Sequence, residues 1–251
     1  MNFSRAEILD LMENKRYPLS SKYDPDWILE NAMGSHCLWL LESLAQAMDL
    51  KPGMRVLDMG CGKAIGSVFL AKEFGVQVWA ADLRIDPTDN WKRICAKSFG
   101  SMVCPVRADA NDLPFADGYF DAMVSINSLF IYATGETFFN DHLLRNVRPG
   151  GEIGFVVPSF MREYGYGGSY PESYGPYVEG YGLKGWHTAA WWKDRLERTG
   201  LAEVIVADNL ADDDGADVFR KSAQMFNAHE EPFNRIAWDD ITFARIVAVK
   251  K

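Results

Sequence analysis

Basic residues, closely spaced cysteines and long apolar runs are what this chain has least of. Lysine and arginine number 26 against 35 aspartates and glutamates, for a formal net charge of −9. The cations are scattered, and the acidic run Asp212, Asp213, Asp214 adds repulsion. A phosphate-tracking surface needs a basic stripe, so nucleic acid is excluded as a partner. No basic amphipathic segment suits an anionic membrane, and no apolar run is long enough to span a bilayer. The four cysteines, Cys37, Cys61, Cys95 and Cys104, have neither CxxC spacing nor a nearby histidine. A zinc site and a disulfide framework are therefore not expected, no metal is assigned, and all four read as free thiols. The N-terminal MNFSRAEILDLMENKRYPLS lacks a signal-peptide core, which makes the cytoplasm the expected location.

What is present is a soluble, globular composition, 48% hydrophobic and 24% charged over 251 residues, enough for one α/β domain with insertions. From residue 54 apolar runs alternate with helical patterns, as βαβ units do. Strands are expected at 54–59, 76–81, 102–107, 121–126, 152–157 and 241–249, and helices at 63–74, 91–99 and 136–147. Residues 1–50 read as a helical arm, with Asp24-Pro25 as cap and first helical position. Residues 51–251 form the main domain, with two insertions. One, 159–187, shows no helix or strand pattern and holds six of the ten tyrosines and seven of the 21 glycines. The other, 211–238, is an acidic loop with a short helix expected at 218–228.

The stretch VLDMGCGKAIG, residues 56–66, places two glycines just beyond a strand that ends in aspartate. Such a turn suits a dinucleotide, a phosphate or an amino-acid carboxylate, because backbone N–H groups approach closely and a helix N-terminus favours negative charge. The dinucleotide fingerprint G-x-G-x-x-G fails at its third position, Ile65, and the phosphate-loop pattern fails because Gly66 is followed by Ser67 and Val68. A second acid, Asp82, ends the next strand, where a carboxylate can accept both hydroxyls of a ribose.

VLDMGCG, VWAADL, ADANDLPFADGYFDAMVSINSL, LLRNVRPGGEIGFVVP and TAAWWKDRLERTGLAEVIVAD together resemble, in order, the motifs of class I S-adenosylmethionine-dependent methyltransferases. Within that family the wording is most similar to small-molecule enzymes of the ubiquinone-biosynthesis and cyclopropane-synthase branches. The resemblance implies a doubly wound, Rossmann-like seven-stranded sheet with the last strand antiparallel. It also implies S-adenosyl-L-methionine as cofactor, a small-molecule acceptor, and methyl transfer at O, N or C. Carried over by motif, Gly60 and Gly62 keep the methionine end clear of side chains, and Asp58 either neutralises its ammonium or merely orients the turn. Asp82 takes the ribose hydroxyls, Leu83 faces the adenine, and Asp109 with the Ala110 N–H meets its amino edge. Asn127 stands at the mouth of the fourth strand, and Tyr23 is expected to close over the methionine end.

His36 and His142 lie on helical stretches and receive no role. His187 ends the tyrosine-rich insertion immediately before a helix, and stands either as a general base or as part of that helix's cap. The insertion itself is expected to act as a cover that builds the acceptor site. A lipid-modifying cyclopropane-type enzyme and a non-catalytic cofactor-binding module are the competing readings, and the composition is compatible with a homo-oligomer.

Overall fold

The computed structural model describes residues 3–164, 170–178, 182–210, 214–226 and 238–251. Seven strands form a single sheet: β1 (Arg55–Met59), β2 (Gln77–Asp82), β3 (Val103–Arg107), β4 (Phe120–Ile126), β5 (Val147–Phe160), β6 (Ala202–Asn209) and β7 (Ile241–Lys250). Their spatial order is β3-β2-β1-β4-β5-β7-β6. The first five run parallel, and β7 lies antiparallel between β5 and β6. This is the doubly wound, Rossmann-like arrangement with an antiparallel last strand that the motifs implied.

Alternation along each strand sends side chains to two separate cores. On one face Val56, Val156, Phe243 and Val247 pack with α3 (Cys37–Ala45) and α4 (Ile65–Phe74). On the other, Leu57, Ile153, Phe155 and Ile246 pack with α7 (Ala189–Glu197), whose Trp192 is fully buried. The remaining helices are α1 (Arg5–Leu11), α2 (Pro25–Asn31), α5 (Pro87–Ala96), α6 (Gly175–Val178) and α8 (Asp214–Met225). None of the described helices is long and apolar enough to cross a membrane.

Two segments depart from the sequence expectations. The helix expected at 136–147 is a turn of π-helix, Phe139–Leu143, followed by a 3-10 turn, Leu144–Asn146. The buried pairs Phe138, Phe139 and Leu143, Leu144 stand five residues apart, a spacing that an i→i+5 turn brings to one face and a 3.6-residue repeat does not. In the tyrosine-rich insertion, β5 runs on to Phe160, and short turns form at Glu172–Tyr174, α6 and Leu183–Gly185. Buried Asp240 organises this region, accepting from Tyr164 at 2.5 Å, Tyr174 at 2.9 Å and Arg162 at 3.0 Å. Residues 165–169 and 179–181 of the expected cover, and the expected helix end at Ala228, lie outside the described residues.

The N-terminal helices share the core of the sheet. Glu42 of α3, 1% exposed, accepts from the backbone N–H groups of Leu19 at 2.9 Å and Ser20 at 2.7 Å, and from the Ser20 hydroxyl at 2.6 Å. One buried carboxylate thus ties the approach to α2 onto α3. Truncation would strand these donors away from water. Glu42→Ala should lower unfolding free energy by about 2–4 kcal/mol in denaturant titrations, and Glu42→Gln by less.

Candidate functional site

A cavity of about 390 Å³ opens beyond the carboxyl ends of β1, β2 and β4. There the strand order reverses between β1 and β4, the place where open α/β sheets bind ligands. Eight of the residues singled out in the sequence line it: Asp58, Gly60, Gly62, Asp82, Leu83, Asp109, Ala110 and Asn127.

The glycine turn is shaped by lack of space. Gly60 has φ +75°, and a Cβ there would lie 2.0 Å from Ser128 Oγ. Gly62 has φ +54°, with Met33 Sδ 3.1 Å from where its Cβ would be. Side chains at these positions would meet both the strain of positive φ and occupied space. Three of the turn's N–H groups are committed within the protein: Gly60 and Cys61 donate to the Ala81 carbonyl at 2.9 and 3.1 Å, and Gly62 donates to Asp82 Oδ2 at 2.9 Å.

Asp82 Oδ1 also accepts from the N–H groups of Arg84 at 2.8 Å and Ile85 at 3.0 Å. These bonds orient the carboxylate, and Oδ2, with its single backbone donor, retains capacity for a ligand hydroxyl. Asp58 is buried, and burial pushes its carboxyl up to about 6, an effect opposed by the Ser67 hydroxyl at 2.6 Å and reinforced by the Asp82 charge. Asp109 is exposed, with Oδ1 accepting from the backbone and side-chain nitrogens of Asn111, both at 2.9 Å. These bonds hold its carboxyl below the usual range.

Asn127 adopts φ +56°, and its buried Oδ1 has no hydrogen-bond partner. An unpaired buried acceptor is costly, and Asn127 is one of the residues lining the cavity. Leu83 and Ile131, 51% and 63% exposed, give the rim apolar faces.

Tyr23 and His187 are not among the residues lining this cavity. Tyr23 packs against Trp27 and Phe69, and its hydroxyl bonds Glu73 at 3.1 Å. His187 is buried, stacked on Trp191 at 3.7 Å, with Nδ1 2.8 Å from Glu163 Oε1. The described, buried tyrosines of the insertion, Tyr164 and Tyr174, pack around Phe160 and likewise do not line the cavity. His36, given no role from the sequence, is buried on Trp39 at 4.0 Å, and burial drives its imidazole down to about 3.

Sequence reasoning missed several wall residues. Met33 comes from the loop between α2 and α3, while Ser128 and Tyr132 follow β4. Ser128 and Tyr132 carried a positional signal, since residues just past a parallel strand's carboxyl end face the crevice. Met33 reaches the site through tertiary packing alone.

Residues 56–151 match the family model described as a methyltransferase domain. A stretch of 123 residues is 32% identical to fatty-acid O-methyltransferase of Mycolicibacterium smegmatis (strain ATCC 700084 / mc(2)155), covering 47% of this chain and 42% of that protein. The chain spans less than half the length of the curated relatives it matches. Among solved structures, Haemonchus contortus phosphoethanolamine N-methyltransferase 2 in complex with S-adenosyl-L-methionine superposes with a TM-score of 0.70 at 18% identity, over 97% of this chain and 60% of that one. The [4+2]-cyclase SpnF superposes with a TM-score of 0.65 at 20% identity, over 84% and 79% of the two chains. The match to the methyltransferase-domain model covers residues 56–151, and the order of motifs and strands along the chain agrees with it.

Proposed function

We propose that this chain binds S-adenosylmethionine in the cavity beyond β1, β2 and β4 and transfers its methyl group to a small, partly apolar acceptor at O, N or C. The observation that carries the reading is convergence: the glycine turn, Asp82, Asp109 and the unpaired Asn127 Oδ1 come from four separate segments and meet in one cavity. The residues fit the cofactor. Asp82 Oδ2 is available for ribose hydroxyls, Leu83 and Ala110 offer apolar contact to adenine, and Asp109 can accept from its amino group. Asn127 Oδ1 and Asp58 supply acceptors for an ammonium, which would relieve the one unpaired group and the burial cost of the other.

When bound, the cofactor supplies an electrophilic methyl on a sulfonium. The protein's part is alignment, holding the acceptor atom roughly 3–3.5 Å from that carbon with its lone pair in line. No obligatory base is required unless the acceptor carries a proton of unsuitable pKa, and His187 takes no part in this reading. Among the lining residues the cations are Lys63 and Arg84, and Lys63 Nζ already donates to the Glu30 carbonyl at 2.7 Å. That supply is small for a phosphate-bearing acceptor such as the phosphoethanolamine in the name of one structural neighbour. It suits an apolar molecule better, of the kind suggested by the fatty acid in the name of the curated relative.

Calorimetry should show that the protein binds S-adenosylhomocysteine, and Asp82→Ala should weaken that binding by about tenfold or more through loss of charge-assisted bonds to the ribose. Unchanged affinity would remove Asp82 from the site.

A pH series tests Asp58. Its carboxyl titrates near 6 and attracts an ammonium only when ionised, so affinity should rise as pH increases from about 5 to 7. Asp58→Asn should flatten that rise, and an identical profile in the variant would assign the titration elsewhere.

A further inference from the structure

Resting on the cofactor reading above, we propose that the Tyr132 hydroxyl is a binding group for the carboxylate of the cofactor's amino-acid tail, set in place by Ser128. Its starting point is a shortage of donors. The carboxylate of a methionine tail beside the glycine turn needs hydrogen-bond donors, yet Gly60, Cys61 and Gly62 have already spent their N–H groups on the Ala81 carbonyl and Asp82. Other donors must serve, and β4's continuation supplies one.

The hydroxyl lies at the right place. A Cβ on Gly60 would sit 3.4 Å from Tyr132 Oη, so the phenol stands directly over the turn, and both Ser128 and Tyr132 line the cavity. Counting protons shows where its hydrogen goes. Ser125 donates to the Met59 carbonyl at 2.9 Å. Ser128 and Tyr132 share one short bond of 2.6 Å, which a single proton fills. If Tyr132 supplied that proton, the Ser128 proton would be left with partners at 3.4 Å, Ser125 Oγ, or 3.5 Å, the Met59 carbonyl. Both distances are long for an O–H donor. Either hydroxyl can supply the proton of the 2.6 Å bond, and when Ser128 supplies it the Tyr132 proton is left for a ligand. Burial pushes the phenol up to about 12, so it keeps that proton and acts as a donor.

The polarity of the cavity then matches a zwitterion. Asp58 and Asn127 line the cavity and would take the ammonium end. With Ser128 donating to it, Tyr132 Oη keeps its own proton to offer the carboxylate. With the ammonium in place between Asp58 and Asn127, the acidic field that Asp58 and Asp82 exert on Tyr132 is offset, which lets an anion approach the phenol.

The test compares the unaltered protein with Tyr132→Phe in calorimetric titrations with three ligands. S-Adenosylhomocysteine carries the whole tail, decarboxylated S-adenosylhomocysteine keeps the ammonium only, and 5′-methylthioadenosine lacks both charged groups. The variant should bind S-adenosylhomocysteine about tenfold more weakly, and the other two within about twofold of the unaltered protein. Equal affinity for S-adenosylhomocysteine would overturn the assignment. So would an equal loss on all three ligands, which would make Tyr132 a packing residue, or a loss shared by the decarboxylated ligand, which would give the hydroxyl to the ammonium. If the unaltered protein bound none of the three, the cofactor reading would fall first and this inference with it.

Discussion

The site depends on the absence of side chains at the end of β1. At Gly60 the backbone turns through φ +75°, with Ser128 Oγ lying where a Cβ would be. Because that space is open, the segment after β4 can close down on the turn and bring Asn127, Ser128 and Tyr132 to the wall of the same cavity as Asp58. A side chain at residue 60 would push the two strand ends apart. The reversal of strand order between β1 and β4 would then still make a crevice, but its polar groups would no longer converge.

The charged groups at the site divide into those that shape it and those left with capacity. Asp82 spends three backbone bonds on orienting the loop after β2 and the glycine turn. Asp58 spends one oxygen on Ser67. Asn127 Oδ1 spends nothing. This gradation separates a structural aspartate from a binding group more sharply than residue type does. The fold alone does not choose the reaction, since it is shared with a [4+2]-cyclase as well as with methyltransferases. The site's acceptors and donors bear on the cofactor, and the proposal of methyl transfer draws on the family match.

Much of this was legible in the chain because it is local. Strand limits followed from apolar runs: all six strand ranges read from the chain meet an observed strand, with β5 starting five residues earlier than expected, and β6 follows the last motif. The glycine turn and Asp82 were legible because φ and strand-end position are set by neighbouring residues. Tyr23 and His187 were placed by their position beside a helix start, which fixes where a residue is along the chain but not which way its side chain points. Each is held by partners distant in sequence, Glu73 for one and Glu163 for the other. Met33 was missed for the same reason in reverse, since nothing local marks it. The π-turn at Phe139–Leu143 escaped because two adjacent buried pairs mimic an ordinary amphipathic helix until their five-residue spacing is measured.

The central claim is that an adenosyl cofactor occupies the cavity beyond β1, β2 and β4. A crystal structure of the protein grown with S-adenosylhomocysteine tests it most directly. The account predicts density for the whole ligand there, with the ribose hydroxyls on Asp82, the adenine between Leu83 and Ala110 with its amino group at Asp109, and the amino-acid tail beside Asn127. Density for the nucleoside in another part of the fold, or the opposite orientation with adenine over the glycine turn, would contradict it.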